Sequence, residues 1–226
     1  MHQFLSIIWQ MVSELGLLLT YPIVRFLVPK KTRFANHPAN GKVIVIIERW
    51  LHPNPLHRIG KRYLESKGFT VYLVSHLITK DSFLTSAVQL KKFIESKNLS
   101  NVTLVGISSG GISALLYLEE LHGWDRVKIF ISIATPFGGT LIALPLALIQ
   151  SCREILPWSA TTKKIQSLRQ KEPAKVICIV ARYDELVPRK SAILPGSSVK
   201  IINVIGHNSL HLTCTQTYEA VAKLAD

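Results

Sequence analysis

Ser108 stands in the frame Gly106-x-Ser108-x-Gly110, inside the run NVTLVGISSGG (101–111). An apolar stretch leads into it and a helix-like stretch follows. A serine hydroxyl is a weak nucleophile until a neighbouring base takes its proton, and that base works best when a carboxylate orients it. Glycines two residues to either side suit a tight strand-to-helix turn, where Cβ atoms would crowd the backbone. Such a turn would also present the N–H of Ser109 at a helix N-terminus, facing negative charge that develops on a bound carbonyl oxygen.

Two phosphate-binding readings compete for the same glycines, and each fails on a required residue. Gly106 to Gly111 spells G-x-x-x-x-G, but Ile112 stands where a phosphate-binding loop needs Lys. A dinucleotide fingerprint needs its second glycine where Ser108 stands.

The elements that must position a base and an acid come next. KVIVIIE (42–48), FTVYLVS (69–75), NVTLVG (101–106), RVKIFISIA (126–134), AKVICIVA (174–181) and VKIINVIG (199–206) are short runs rich in β-branched residues. Their near-continuous apolarity predicts strands buried on both faces, as in a parallel sheet. Helix-like stretches alternate with them: 56–66, 82–96, 109–121, one or two within 139–170, and 209–224. This alternation predicts an α/β fold, a mostly parallel sheet of about six strands with helices on both faces. In such sheets chemistry sits beyond the carboxyl ends of the strands.

That rule filters eight histidines and four aspartates. His207 follows directly on the last strand, with His211 one helical turn further on as its main rival. His76 also follows a strand but precedes the serine. Asp184 comes three residues after VICIVA, within ARYDELVP, with Glu185 beside it as the fallback. Asp125 lies before its strand, Asp81 precedes the serine, and Asp226 ends the chain. Ser108, Asp184 and His207 thus share one sheet edge, in the order Ser…Asp…His.

Four stretches resemble the α/β-hydrolase family, and within it the small bacterial-type lipases and lipase-like esterases. They are VGISSGG, ISIATPFGGT (131–140), ARYDELVP and VIGHNSL, together spanning about residues 42–212. The TPFGGT element is what narrows the likeness to lipases. The resemblance implies a Ser108–His207–Asp184 triad, hydrolysis of lipid-like acyl esters through an acyl-enzyme, and no cofactor or metal. One feature departs from the family. Where it usually has His-Gly after the first strand, this chain has Glu48-Arg49, followed by Trp50. By that alignment the N–H of Trp50 is the second oxyanion donor, with Ser109 the first. Glu48 and Arg49 are expected to pair with each other or with HPNPLHR (52–58), or to restrict the substrate. The same triad would serve an acyltransferase, thioesterase or amidase, and the changed loop also admits a catalytically weak binding protein on the same fold.

Two further segments are apolar. Residues 1–35 read as an N-terminal helix, FLSIIWQMVSELGLLLTYPIVRFLV followed by PKKTR. Its length would span a bilayer, Glu14 in the middle opposes this, and polar residues at helical spacing fit a helix lying on an anionic lipid surface. Spanning and surface binding both stay open, as does packing on the hydrolase-like body or on a second copy. The second segment, LIALPLALIQSCREILPW (141–158), reads as a cap or acyl-binding wall within about 137–170, or else as a core helix covering the sheet. The hydrolase-like domain is 36–226.

The 226 residues are 48% hydrophobic and 18% charged, which predicts a folded chain able to bury a full core. Net charge is +13, but the bases are scattered and no nucleic-acid motif accompanies them, so an acidic lipid leaflet is the preferred anionic partner over nucleic acid. Three cysteines without close pairing argue against a disulfide framework or zinc site and for a reducing compartment. The expected location is the cytoplasmic face of a membrane, with a soluble cytoplasmic protein as the alternative.

Overall fold

In the computed structural model the described residues are 42–48, 57–74 and 82–226. The expected N-terminal helix, Trp50, His76 and Asp81 lie outside them. Six strands form one sheet: β1 (Val43–Ile47), β2 (Thr70–Val74), β3 (Val102–Ile107), β4 (Val127–Ile133), β5 (Val176–Tyr183) and β6 (Ser198–Ile205). Every neighbouring pair is parallel, in the order β2-β1-β3-β4-β5-β6. The six apolar runs became the six strands, with ends shifted by one or two residues.

The helices are α1 (His57–Ser66), α2 (Phe83–Ser96), α3 (Gly110–Glu120), α4 (Gln150–Glu154), α5 (Ala160–Ser167) and α6 (Thr215–Ala225). Ser82 caps α2 by accepting from Thr85 N, and Ser159 caps α5 by accepting from Thr162 N, which satisfies N–H groups the helices cannot. Period-two alternation along β1 divides the core between the two faces. Val43, Val45 and Ile47 pack with α2 and α3; Ile44 and Ile46 pack with Leu64 of α1 and Tyr218 and Val221 of α6. Each fully buried aliphatic side chain of this kind stabilises the fold by roughly 1.5–3 kcal/mol.

Burial on both faces holds for β1 and β3, every residue of which is buried, but not for β6. Val199 and Ile201 are exposed on β6, an edge strand whose outer side pairs with no other strand among the described residues. The expected helix over 209–224 is also broken. Residues Ser209–Thr213 form a single π turn, and Cys214, extended, donates its N–H to Ser209 O before α6 begins. The 141–158 segment is not a core helix: a 3-10 turn over Leu141–Leu146 precedes the short α4. Cys152, Cys178 and Cys214 are free thiols. Among the described residues no helix is long and apolar enough to cross a membrane.

Candidate active site

The turn from β3 to α3 brings three backbones together. Ser108 has φ +50, a left-handed conformation that costs a non-glycine residue about 1–2 kcal/mol. It is held there from both sides, donating its N–H to Ile133 O at 2.8 Å and accepting at its carbonyl from Gly111 N at 3.0 Å. A Cβ on Gly106 would stand 2.9 Å from Gly111 N, and one on Gly110 would stand 2.7 Å from Ile47 O and 2.9 Å from Glu48 O. Both motif glycines are therefore required by close approach. Helix α3 begins at Gly110, which leaves Ser109 at its N-cap position, directly after Ser108.

β5 and β6 end at the same edge. Asp184 follows Tyr183 directly, and its Oδ1 accepts from Leu186 N at 2.9 Å and Val187 N at 2.8 Å. Gly206, donating to Tyr183 O, ties the end of β6 to the end of β5 and releases the chain into His207. His207 Nδ1 lies 2.7 Å from Asp184 Oδ2, and its Nε2 lies 3.0 Å from Ser108 Oγ. The imidazole is 1% exposed and the Asp184 side chain 6%, so the pair is shielded from water, which strengthens its electrostatics. Hydroxyl, imidazole and carboxylate stand in series. The arrangement can carry a proton from Ser108 to Nε2 while Asp184 steadies the resulting cation.

The rivals have other places. Glu185 accepts from the His207 backbone N–H at 3.1 Å, so it holds the turn from which the ring projects. His211 packs against His207, ring centroids 5.3 Å apart and nearly perpendicular. Asp125 sits in the turn before β4, at the amino edge, and Asp226 is paired with Lys42. Of the two expected oxyanion donors, Ser109 lies at the α3 N-terminus beside Ser108, and Trp50 lies outside the described residues.

Behind His207 is a buried polar layer that no motif in the sequence announces. The His211 ring stacks on His57 of α1, centroids 5.4 Å apart at 17°, and Tyr218 donates its hydroxyl proton to His211 O. Glu48, continuing the Ile44 and Ile46 face of β1, is 2% exposed. Burial pushes its carboxyl up to about 8, with the Arg58 cation opposing. Arg58 belongs to the 52–58 stretch expected to meet Glu48, and its charge acts on a carboxyl that is buried. The one available signal was position: a residue on the inward face of a central strand end is buried whatever its charge. Among the described residues no cluster of three His, Cys, Asp or Glu side chains could hold a metal ion.

No protein-family model matches the chain, and no curated protein sequence does. Solved structures do share its architecture. A lipase from Bacillus licheniformis superimposes with a TM-score of 0.62 at 15% identity, over 84% of this chain and 94% of that one. An esterase from Exiguobacterium antarcticum gives 0.57 at 18%, over 83% and 93%. A bromoperoxidase from Bacillus anthracis gives 0.59 at 16%, over 82% and 92%. The similarity covers most of each chain and several named activities, so what it shows is the fold that they share.

Proposed function

We propose that this chain, which has the α/β-hydrolase fold, is a serine hydrolase that cleaves carboxylic esters of lipid-like acids through an acyl-enzyme. The observation that carries this reading is the series Ser108 Oγ, His207 Nε2, His207 Nδ1, Asp184 Oδ2, with contacts of 3.0 and 2.7 Å at the carboxyl edge of the sheet. Esterases and lipases among the structural relatives favour ester hydrolysis over the other chemistries this fold supports.

His207 Nε2 takes the Ser108 proton as Oγ bonds to the ester carbonyl carbon. The Ser109 N–H, and by the resemblance that of Trp50, receive the oxyanion. The imidazolium then protonates the departing alkoxide as its C–O bond breaks, leaving the acyl group on Ser108. Water, deprotonated by the same Nε2, releases the acid and restores the serine. Loss of one oxyanion donor would lower turnover about 100-fold or more, so the Glu48-Arg49 loop bears on rate and substrate more than on mechanism. The N-terminal helix and the basic surface would hold the enzyme to an anionic membrane on its cytoplasmic side.

Labelling by a fluorophosphonate probe tests the reading, with p-nitrophenyl ester turnover on the same samples. Both should be present in the wild type and absent in Ser108→Ala. Labelling without turnover favours acyl transfer to another acceptor, and a folded wild type with neither leaves a binding protein on this fold.

A further inference from the structure

The segment after β4 has its side chains the wrong way out for a protein that meets only water. In LIALPLALI (141–149), nine residues without a polar side chain, Ala143 is buried at 4% exposure. The large side chains point away: Leu141 is 61% exposed, Ile142 57%, Leu144 50%, Leu146 44% and Leu148 97%. Trp158, 54% exposed, follows Pro157, which packs on Gly139 at the foot of the segment. The backbone is fixed. Thr140 N donates to Ile155 O at 2.8 Å, the Thr140 hydroxyl donates to Leu186 O, and Ala147 and Ile149 close turns onto Leu144 and Leu146. Small residues face the core and leucines face outward on a hydrogen-bonded platform. An apolar surface of this kind marks an interaction site.

We propose that this platform docks on an anionic phospholipid bilayer, inserting Leu144 and Leu148 among the acyl chains. Three observations favour lipid over a protein partner. The segment offers no hydrogen-bonding side chain and is aliphatic, whereas protein hot spots are enriched in Trp, Tyr and Arg and poor in Leu. The aromatic at its margin, Trp158, is of the kind found at headgroup level. The charge within and just after the segment is basic: residues 137–153 contain no acid, and Arg153 is exposed, in a chain of net charge +13. The first acid beyond them, Glu154, is turned to its own fold, accepting from Phe83 N and the Gln150 amide. The platform also leaves the sheet seven residues beyond Ala134, at the edge that carries Ser108, so a docked bilayer would lie beside the site of the proposed ester hydrolysis, on which only the purpose of docking depends.

The test keeps binding apart from chemistry. Full-length protein carrying Ser108→Ala, Cys214→Ser and Leu148→Cys is labelled with an environment-sensitive dye and mixed with phosphatidylcholine vesicles, with and without phosphatidylglycerol. A blue shift and quenching by bilayer nitroxides, with the anionic vesicles only, is expected. Adding Leu144→Asp should weaken that response about tenfold or more. The proposal is overturned if the dye stays in water while the protein floats with the vesicles, if neutral vesicles serve equally, or if size-exclusion shows that Leu144→Asp splits a stable dimer without changing the dye response. Turnover of a short soluble ester by Leu144→Asp, Ser108 being intact, reports on the triad alone.

Discussion

Asp184 and His207, 23 residues apart, meet at 2.7 Å through Oδ2 and Nδ1, while the other carboxylate oxygen is already held by the N–H groups of Leu186 and Val187. The division of labour makes Asp184→Asn informative. The amide would keep its oxygen toward the two N–H groups and turn its NH2 toward Nδ1. That selects the imidazole tautomer with its proton on Nε2, which cannot accept from Ser108. Turnover of a soluble p-nitrophenyl ester should fall about 10³-fold or more with the melting temperature nearly unchanged. A loss below tenfold would remove Asp184 from the proposed mechanism.

The φ of +50 at Ser108 is strain held for geometry. Glycine adopts that conformation freely and alanine does not. Ser108→Gly and Ser108→Ala should both be inactive, yet the glycine variant should be the more stable of the two by about 1 kcal/mol in urea denaturation, although it buries less. The reverse order would mean that the turn is unstrained.

Glu48 should make stability depend on pH in a direction opposite to that of a paired surface carboxylate. Its ordinary value is 4.5 and its folded value about 8, so between these the native state keeps a proton that the unfolded chain has lost. The contribution is fully present below the unfolded value and is lost as pH rises through the folded one. Each pH unit separating the two values is worth about 1.4 kcal/mol, so the loss is on the order of 5 kcal/mol. Glu48→Gln cannot ionise, and it should flatten the fall in stability between about pH 5 and pH 9. Parallel wild-type and variant curves would show that the carboxyl titrates normally.

His211, fully buried, lies between the His57 and His207 rings. Removing its ring by His211→Ala should cost about 2–4 kcal/mol of stability and free the His207 imidazole to leave Ser108, lowering kcat more than it alters KM. His211→Phe restores a ring of similar shape and should recover most of both losses. If phenylalanine rescues stability but not kcat, the imidazole does more than pack.

Much of the fold was legible because its signals are local. Six β-branched runs separated by helical stretches fix a parallel α/β sheet, since each run needs burial on two faces and each crossover needs a helix. The elbow was equally plain in Gly106, Ser108 and Gly110, whose spacing reflects crowding within a few residues. The edge exposure of β6 was not legible, because an edge strand differs from a central one only in what lies beside it.

Residue order alone settles the elements, their succession along the chain, and a short roster at one sheet edge: Ser108, Asp184 or Glu185, His207 or His211. Choosing among them took the packed fold. Neighbouring side chains leave the end of a strand in different directions, so the turn after β5 sends Asp184 to the ring and Glu185 to the backbone N–H of the same histidine. Likewise the register of β6 against β5 delivers His207 to Ser108, and the π turn carries His211 behind it onto His57. The burial of Glu48 and the outward leucines of 141–148 are decided the same way. Residue type states a preference for water or core, but which of them a side chain meets depends on neighbours brought from distant parts of the chain.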